Sequence, residues 1–116
     1  MKTRIYISIP ITGLNERQQR AKVLEVIDRL DAQLSRREPF TPTQFINPFD
    51  ISDALNSVHK AAMLPPPSHA DYMAYDLKAL ERCNAAYFCK GWEGSVGCRQ
   101  EHEAAEQWGL TIMYEV

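Results

Sequence analysis

The sequence predicts an α/β domain in which a small parallel sheet of four to five strands is covered by helices on both faces. Three observations carry this. Short β-branched or aromatic runs alternate with longer stretches of 3.6-residue apolar periodicity. Proline and glycine punctuate the ends of the runs. The 116 residues suffice for one domain with a real core, so residues 1–116 read as a single domain. Strands alternating with helices pair in parallel, because each helix carries the chain back to the edge where the previous strand began.

Arg4–Ile9 is the first strand, ended by Pro10 and Gly13. Asn15 with Gln18 three residues on forms a capping-box pattern. Ala21, Leu24, Ile27, Leu30 and Leu34 follow at helical spacing, which makes Glu16–Ser35 an amphipathic helix. Arg36–Gln44 is a loop, Phe45-Ile46-Asn47 a short second strand stopped by Pro48, and Asp50–Val58 a second helix. Pro65-Pro66-Pro67 is a stiff loop. Ser68 then caps a third helix, with Asp71 three residues on and Met73, Leu77 and Leu80 among its apolar positions. Ala85–Cys89 is the third strand and Gly91–Gly97 a glycine-containing loop. Cys98–Trp108 is the fourth helix, stopped at Gly109, and Leu110–Tyr114 the last strand.

Composition removes several classes of function. Apolar residues at 45% and a net charge of -2 are incompatible with a disordered chain. A general nucleic-acid binder carries a basic excess that is missing here. Cys83, Cys89 and Cys98 contain no C-x-x-C pair and are odd in number, so they read as free thiols in a reducing cytosol. His59, His69 and His102 form no metal pattern, and no metal or cofactor is expected. The apolar run Ile5–Ile11 is too short for a signal peptide and is broken by Pro10, and no run approaches a membrane span. A cytoplasmic protein without membrane or nucleic-acid partners is the expectation.

In open parallel sheets, ligands bind outside the carboxyl ends of the strands. Two loops belong there, Ser8–Gly13 after the first strand and Lys90–Gly97 after the third. The second runs into a helix N-terminus, whose free N–H groups and dipole favour an anion. Ser95 can add a hydroxyl donor, and Gly94 and Gly97 allow close backbone approach; an ordinary strand–helix turn with a capping serine explains the same residues. Glu101 shares a helical stripe with Ala104, Ala105 and Trp108, so it points toward the protein or its cleft. An unpaired buried carboxylate is costly, and the helix dipole favours its ionised form. The pattern fits equally a glutamate at the rim of the core and a partly desolvated nucleophile. Asp76, at the border of an apolar face, is by pattern a solvated helix carboxylate that can also bind a sugar hydroxyl. Trp92 either stacks on a base or covers its loop. His102 points a quarter-turn from Glu101, toward solvent. Cys98 reads as a small residue lining the turn.

Taken together, Tyr6-Ile7-Ser8-Ile9-Pro10-Ile11-Thr12-Gly13, Asn47-Pro48, Asp76, and Ser95-Val96-Gly97-Cys98-Arg99-Gln100-Glu101 before Ala104-Ala105 resemble the nucleoside 2-deoxyribosyltransferase superfamily. The likeness is strongest to its short phage and bacterial members with no assigned function, and most specific over residues 84–109. It implies a flavodoxin-like (Rossmann-like) three-layer sandwich and cleavage of an N-glycosidic bond. The Ser-x-Gly-x-x-x-Glu form is similar to that of the deoxynucleoside 5′-monophosphate N-glycosidases. By this resemblance Glu101 is the catalytic nucleophile and Asp76 holds the sugar or orients that nucleophile. Ser95 and Gly97 take the 5′-phosphate, while Tyr6, Ser8, Pro10, Thr12, Gly13 and Trp92 line the site. The substrate is then a nucleotide or nucleoside, consumed by hydrolysis or deoxyribosyl transfer. A non-catalytic nucleotide- or nucleotide-sugar-binding accessory protein is the other expectation. The resemblance also implies that a neighbouring subunit completes the pocket of so small a sheet. A homodimer or larger homo-oligomer is therefore expected, with Lys60–Pro67 and Gly91–Gly94 as contacts. Ile9 stands where many relatives have glycine, and Asn84 where an aspartate near the site is usual.

Overall fold

The structure is a computed structural model that describes residues 2–10, 15–37 and 42–116. Four strands, β1 (Thr3–Ser8), β2 (Thr43–Ile46), β3 (Ala85–Phe88) and β4 (Thr111–Tyr114), alternate with helices α1 (Glu16–Arg37), α2 (Pro48–Ala61), α3 (His69–Glu81) and α4 (Val96–Gln107). The sheet is wholly parallel in the order β2-β1-β3-β4. This is a small α/β three-layer sandwich of the flavodoxin-like type, as the alternation of elements predicts.

Side chains alternate across β1. Ile5 and Ile7 pack with Val23, Val26 and Leu30 of α1 and with Ala85, Tyr87 and Cys89. Tyr6 faces the other way and packs with Leu80 of α3, Ala105 of α4, and Ala86 and Phe88. The period of two thus assigns α1 to one face and α3 and α4 to the other. Every residue of β3 is buried, as expected for an inner strand of a parallel sheet covered on both sides. The thiols of Cys83, Cys89 and Cys98 are free and buried.

The helix starts follow the capping residues. Asn15 and Gln18 exchange reciprocal hydrogen bonds, Asn15 N–H to Gln18 Oε1 at 3.1 Å and Gln18 N–H to Asn15 Oδ1 at 2.8 Å. Ser68 and Asp71 do the same at the start of α3. The other two helices begin earlier than periodicity alone predicts. Asn47 caps α2 with Pro48 in its first turn, and Ser95 caps α4, which starts at Val96, two residues before Cys98. Gly91, at φ 90, opens a one-turn 3-10 segment, Trp92–Gly94, in the loop before α4.

Two placements differ from expectation. Trp108, placed inward by its stripe, is the C-cap residue of α4 and is 42% exposed, because the helix ends before its side chain can turn onto the sheet. Asn84 precedes β3 at the amino end of the sheet, where its Oδ1 accepts the Arg4 N–H at 2.8 Å. It therefore lies at the opposite end of the sheet from Ser8 and Phe88, which end β1 and β3. No helix among the described residues is long and apolar enough to cross a membrane.

Candidate active site

From β1 the chain reaches β2 on one side of the sheet, while β3 pairs on the other side. The crevice between the carboxyl ends of β1 and β3 is therefore the switch point at which such folds bind ligands. Ser8 ends β1 and pairs in register with Phe88, the end of β3. Pro10 is buried and sits beside Gly91, where a Cβ would lie 3.5 Å from Pro10 Cγ. Both expected loops thus meet at one edge. Thr12 and Gly13 lie outside the described residues.

Tyr6 and Ser8 share a strand face and are both about 1% exposed. Glu101 of α4 comes down onto that face and is 6% exposed. The Ser8 hydroxyl donates to Glu101 Oε1 at 3.0 Å. Glu101 Oε2 is buried without a partner among the described residues, and so is Oδ1 of the half-buried Asp76 on α3. Glu101 is therefore turned inward, as its helical stripe predicts. Asp76 is likewise not a solvated helix carboxylate.

Burial controls the charge here. It pushes Glu101 up to about 7; the Tyr6 hydroxyl opposes the rise, the Asp76 charge adds to it, and the Ser8 hydroxyl opposes it. Burial likewise takes Asp76 to about 7. Tyr6 is held well above its ordinary value by burial and by the charges of Glu101 and Asp76, so its hydroxyl stays a donor. The helix dipole does not decide the state of Glu101, because its influence fades within the first turn and Glu101 lies beyond it. With both carboxyls near 7, each is part protonated and part ionised at neutral pH.

The first turn of α4 lies beside this pair. Ser95 Oγ accepts the Cys98 N–H at 3.3 Å and the Ser95 carbonyl accepts the Arg99 N–H at 3.0 Å. The N–H groups of Val96 and Gly97 have no protein acceptor among the described residues. Ser95 is thus a cap whose own proton is still available, and two backbone donors stand next to it. Burial raises the Cys98 thiol, which agrees with a small lining residue and not with a thiolate nucleophile.

A family model described as Domain of unknown function (DUF4406) matches residues 51–114, more than half of the chain. The chain belongs to the DUF4406 family. No curated protein matches it. The matched stretch carries Asp76, Ser95, Gly97 and Glu101, while Tyr6 and Ser8 come from β1 outside it. The carboxylate pair and the first turn of α4 in this DUF4406 protein therefore sit on the matched part.

Among the remaining residues, His102 departs from the sequence reading and Trp92 follows one of its two readings. The Trp92 ring lies on His102 with centroids 4.1 Å apart and planes 15° apart, and both contact Phe88 and Tyr114. Trp92 covers its own loop in this arrangement. The His102 side chain is only 14% exposed, against the expectation of a solvent-facing ring. Its Nε2 lies 2.6 Å from Tyr114 Oη and its Nδ1 2.9 Å from Glu106. Sequence reasoning missed this group because Tyr114 and His102 are brought together only by β4 lying beside β3. A cavity of about 630 Å³ lies between β2, α2 and α3, lined by Phe45, Ile51, Tyr75, Lys78 and Arg82 among others. None of the residues assigned to the site lines it. Among the described residues no cluster of His, Cys, Asp and Glu could hold a metal.

Proposed function

We propose that this chain cleaves the N-glycosidic bond of a (deoxy)nucleoside 5′-monophosphate or nucleoside, by hydrolysis or deoxyribosyl transfer, with Glu101 as nucleophile. The observation that carries the reading is a nearly buried carboxylate at the switch point. One of its oxygens is held by Ser8 and the other is free. Ionised Glu101 attacks the anomeric carbon as the base departs through an oxocarbenium-like transition state, and water or a second base then releases the sugar. Asp76, on the neighbouring helix, holds the sugar or orients the nucleophile. The Val96 and Gly97 N–H groups and the Ser95 hydroxyl take the 5′-phosphate, far enough from the reacting carbon to supply positioning energy.

The exposed Val58, Met63, Leu64 and Tyr75 on and after α2 and on α3 support the further proposal of a homo-oligomer. Incubation with a panel of deoxynucleoside monophosphates and nucleosides tests the activity. Free base is expected with wild type and none with Glu101→Ala at retained fold. Full activity in that variant would sink the assignment of Glu101. A nucleotide that raises Tm yet stays intact after long incubation would favour the non-catalytic binding protein instead.

A further inference from the structure

We propose that Ser8 is the positioning residue of the Glu101 carboxylate: it fixes one oxygen as an acceptor, presents the other to the ligand and favours the charged form. The catalytic consequence of this role rests on the function proposed above. The contact itself does not.

Ser8 is well suited to hold a charge in place. Its backbone is pinned at the end of an inner strand, with its carbonyl accepting the Cys89 N–H at 3.0 Å and its register fixed against Phe88. The side chain is short and 1% exposed, so few rotamers are available to it and no bulk water competes for the hydroxyl. A serine hydroxyl has one proton, and here it goes to Glu101 Oε1 at 3.0 Å. A hydroxyl donating to a carboxyl oxygen favours the charged form of its acceptor. With Oε1 engaged, the carboxyl plane is fixed, and Oε2 is the oxygen left unpartnered. Ser8 was expected from the sequence to bind substrate. Its donor is instead spent on the nucleophile.

The titratable groups that face Glu101 are Tyr6 from β1, Asp76 from α3 and Cys98 from α4. Asp76 and burial disfavour the carboxylate, and the Tyr6 and Ser8 hydroxyls favour it. Removing the Ser8 hydroxyl leaves the opposing influences in place, so Glu101 becomes harder to ionise.

The experiment compares wild type, Ser8→Ala and Ser8→Thr. Carbon-detected carboxyl NMR follows the Glu101 titration, with Glu101→Gln assigning the signal, and base release is followed against pH. In Ser8→Ala the Glu101 midpoint is expected about one pH unit higher, and base release on the acidic limb about 10-fold lower, since one unit is a tenfold change in ionised fraction. KM stays within about twofold, because the lost group acts on the nucleophile and not on the bound substrate. Ser8→Thr, which keeps the hydroxyl, restores the midpoint. A Glu101 midpoint unmoved in Ser8→Ala overturns the proposal. So does a raised KM with kcat and midpoint unchanged, which would place the hydroxyl on the substrate. If wild type releases no base, the proposed function fails, and the midpoint still decides the role of Ser8.

Discussion

Asp76 on α3 and Glu101 on α4 each keep one carboxylate oxygen, Oδ1 and Oε2, buried and without a hydrogen-bond partner among the described residues. Burial raises both, and the Asp76 charge adds to the rise of Glu101 to about 7.

The rate of base release is expected to rise with pH through about 7 as Glu101 ionises. Asp76→Asn removes a negative neighbour while keeping the shape, so the acidic limb moves to lower pH. The absolute rate falls in the same variant, because a sugar or nucleophile contact is altered. A pH–rate profile of wild type and variant checks both, and an acidic limb that stays put would show that the two carboxyls are not coupled.

The same burial that tunes Glu101 costs stability. Its folded pKa of about 7 lies above its ordinary 4.5, so the folded chain binds more protons than the unfolded chain between those values. Stability therefore falls as pH rises across that window and levels off above it. Glu101→Gln keeps the shape and removes the charge. The variant is expected to be more stable than wild type at about pH 8, by on the order of 1–3 kcal/mol, and nearly equal to it at about pH 4. Urea unfolding at the two pH values measures this. A destabilised variant at the higher pH would contradict a strained, buried carboxylate.

The order of elements was legible because it rests on local chemistry. The capping pairs Asn15–Gln18 and Ser68–Asp71 are written within a few residues of one another. The inward aim of Glu101 was legible for the same reason, from its stripe with Ala105. Its partner was not. Ser8 is far away in sequence, and only the pairing of β1 with β3 and the seat of α4 on that face bring the two side chains together. Asn84 shows the same limit from the other side. Its position in the chain, just after α3, says nothing about which end of the sheet it occupies until the strands are threaded.

Asn84 accordingly separates stability from function. Its Oδ1 accepts one backbone N–H at the amino end of β1, so Asn84→Ala is expected to cost about 1 kcal/mol of stability. Base release per folded molecule should be unchanged, because the residue lies across the sheet from Glu101. Thermal unfolding and a rate measured on the same sample check the pair of claims. A selective loss of activity would return Asn84 to the site.

Glu115 ties the carboxyl end of the sheet together next to the proposed phosphate turn. Its carboxylate accepts from Lys22 Nζ at 2.6 Å, from the Lys90 N–H at 2.9 Å and from Arg29 at 3.3 Å, and its side chain is only 6% exposed. Burial alone would raise its pKa, but these donors together outweigh burial and hold it below 4.5. A depressed carboxyl contributes stability that is present above its unfolded value and is lost as pH falls through the folded one. Glu115→Gln leaves two cations without their anion and is expected to cost about 1–3 kcal/mol at neutral pH. The gap between variant and wild type should close as the pH is lowered below the ordinary carboxylate range. Because Lys90 begins the loop that leads to Ser95, weaker binding of inorganic phosphate should accompany the loss, read by a smaller phosphate-induced rise in Tm. A variant as stable as wild type at neutral pH would mean that the three contacts do no more than balance the burial of the charge.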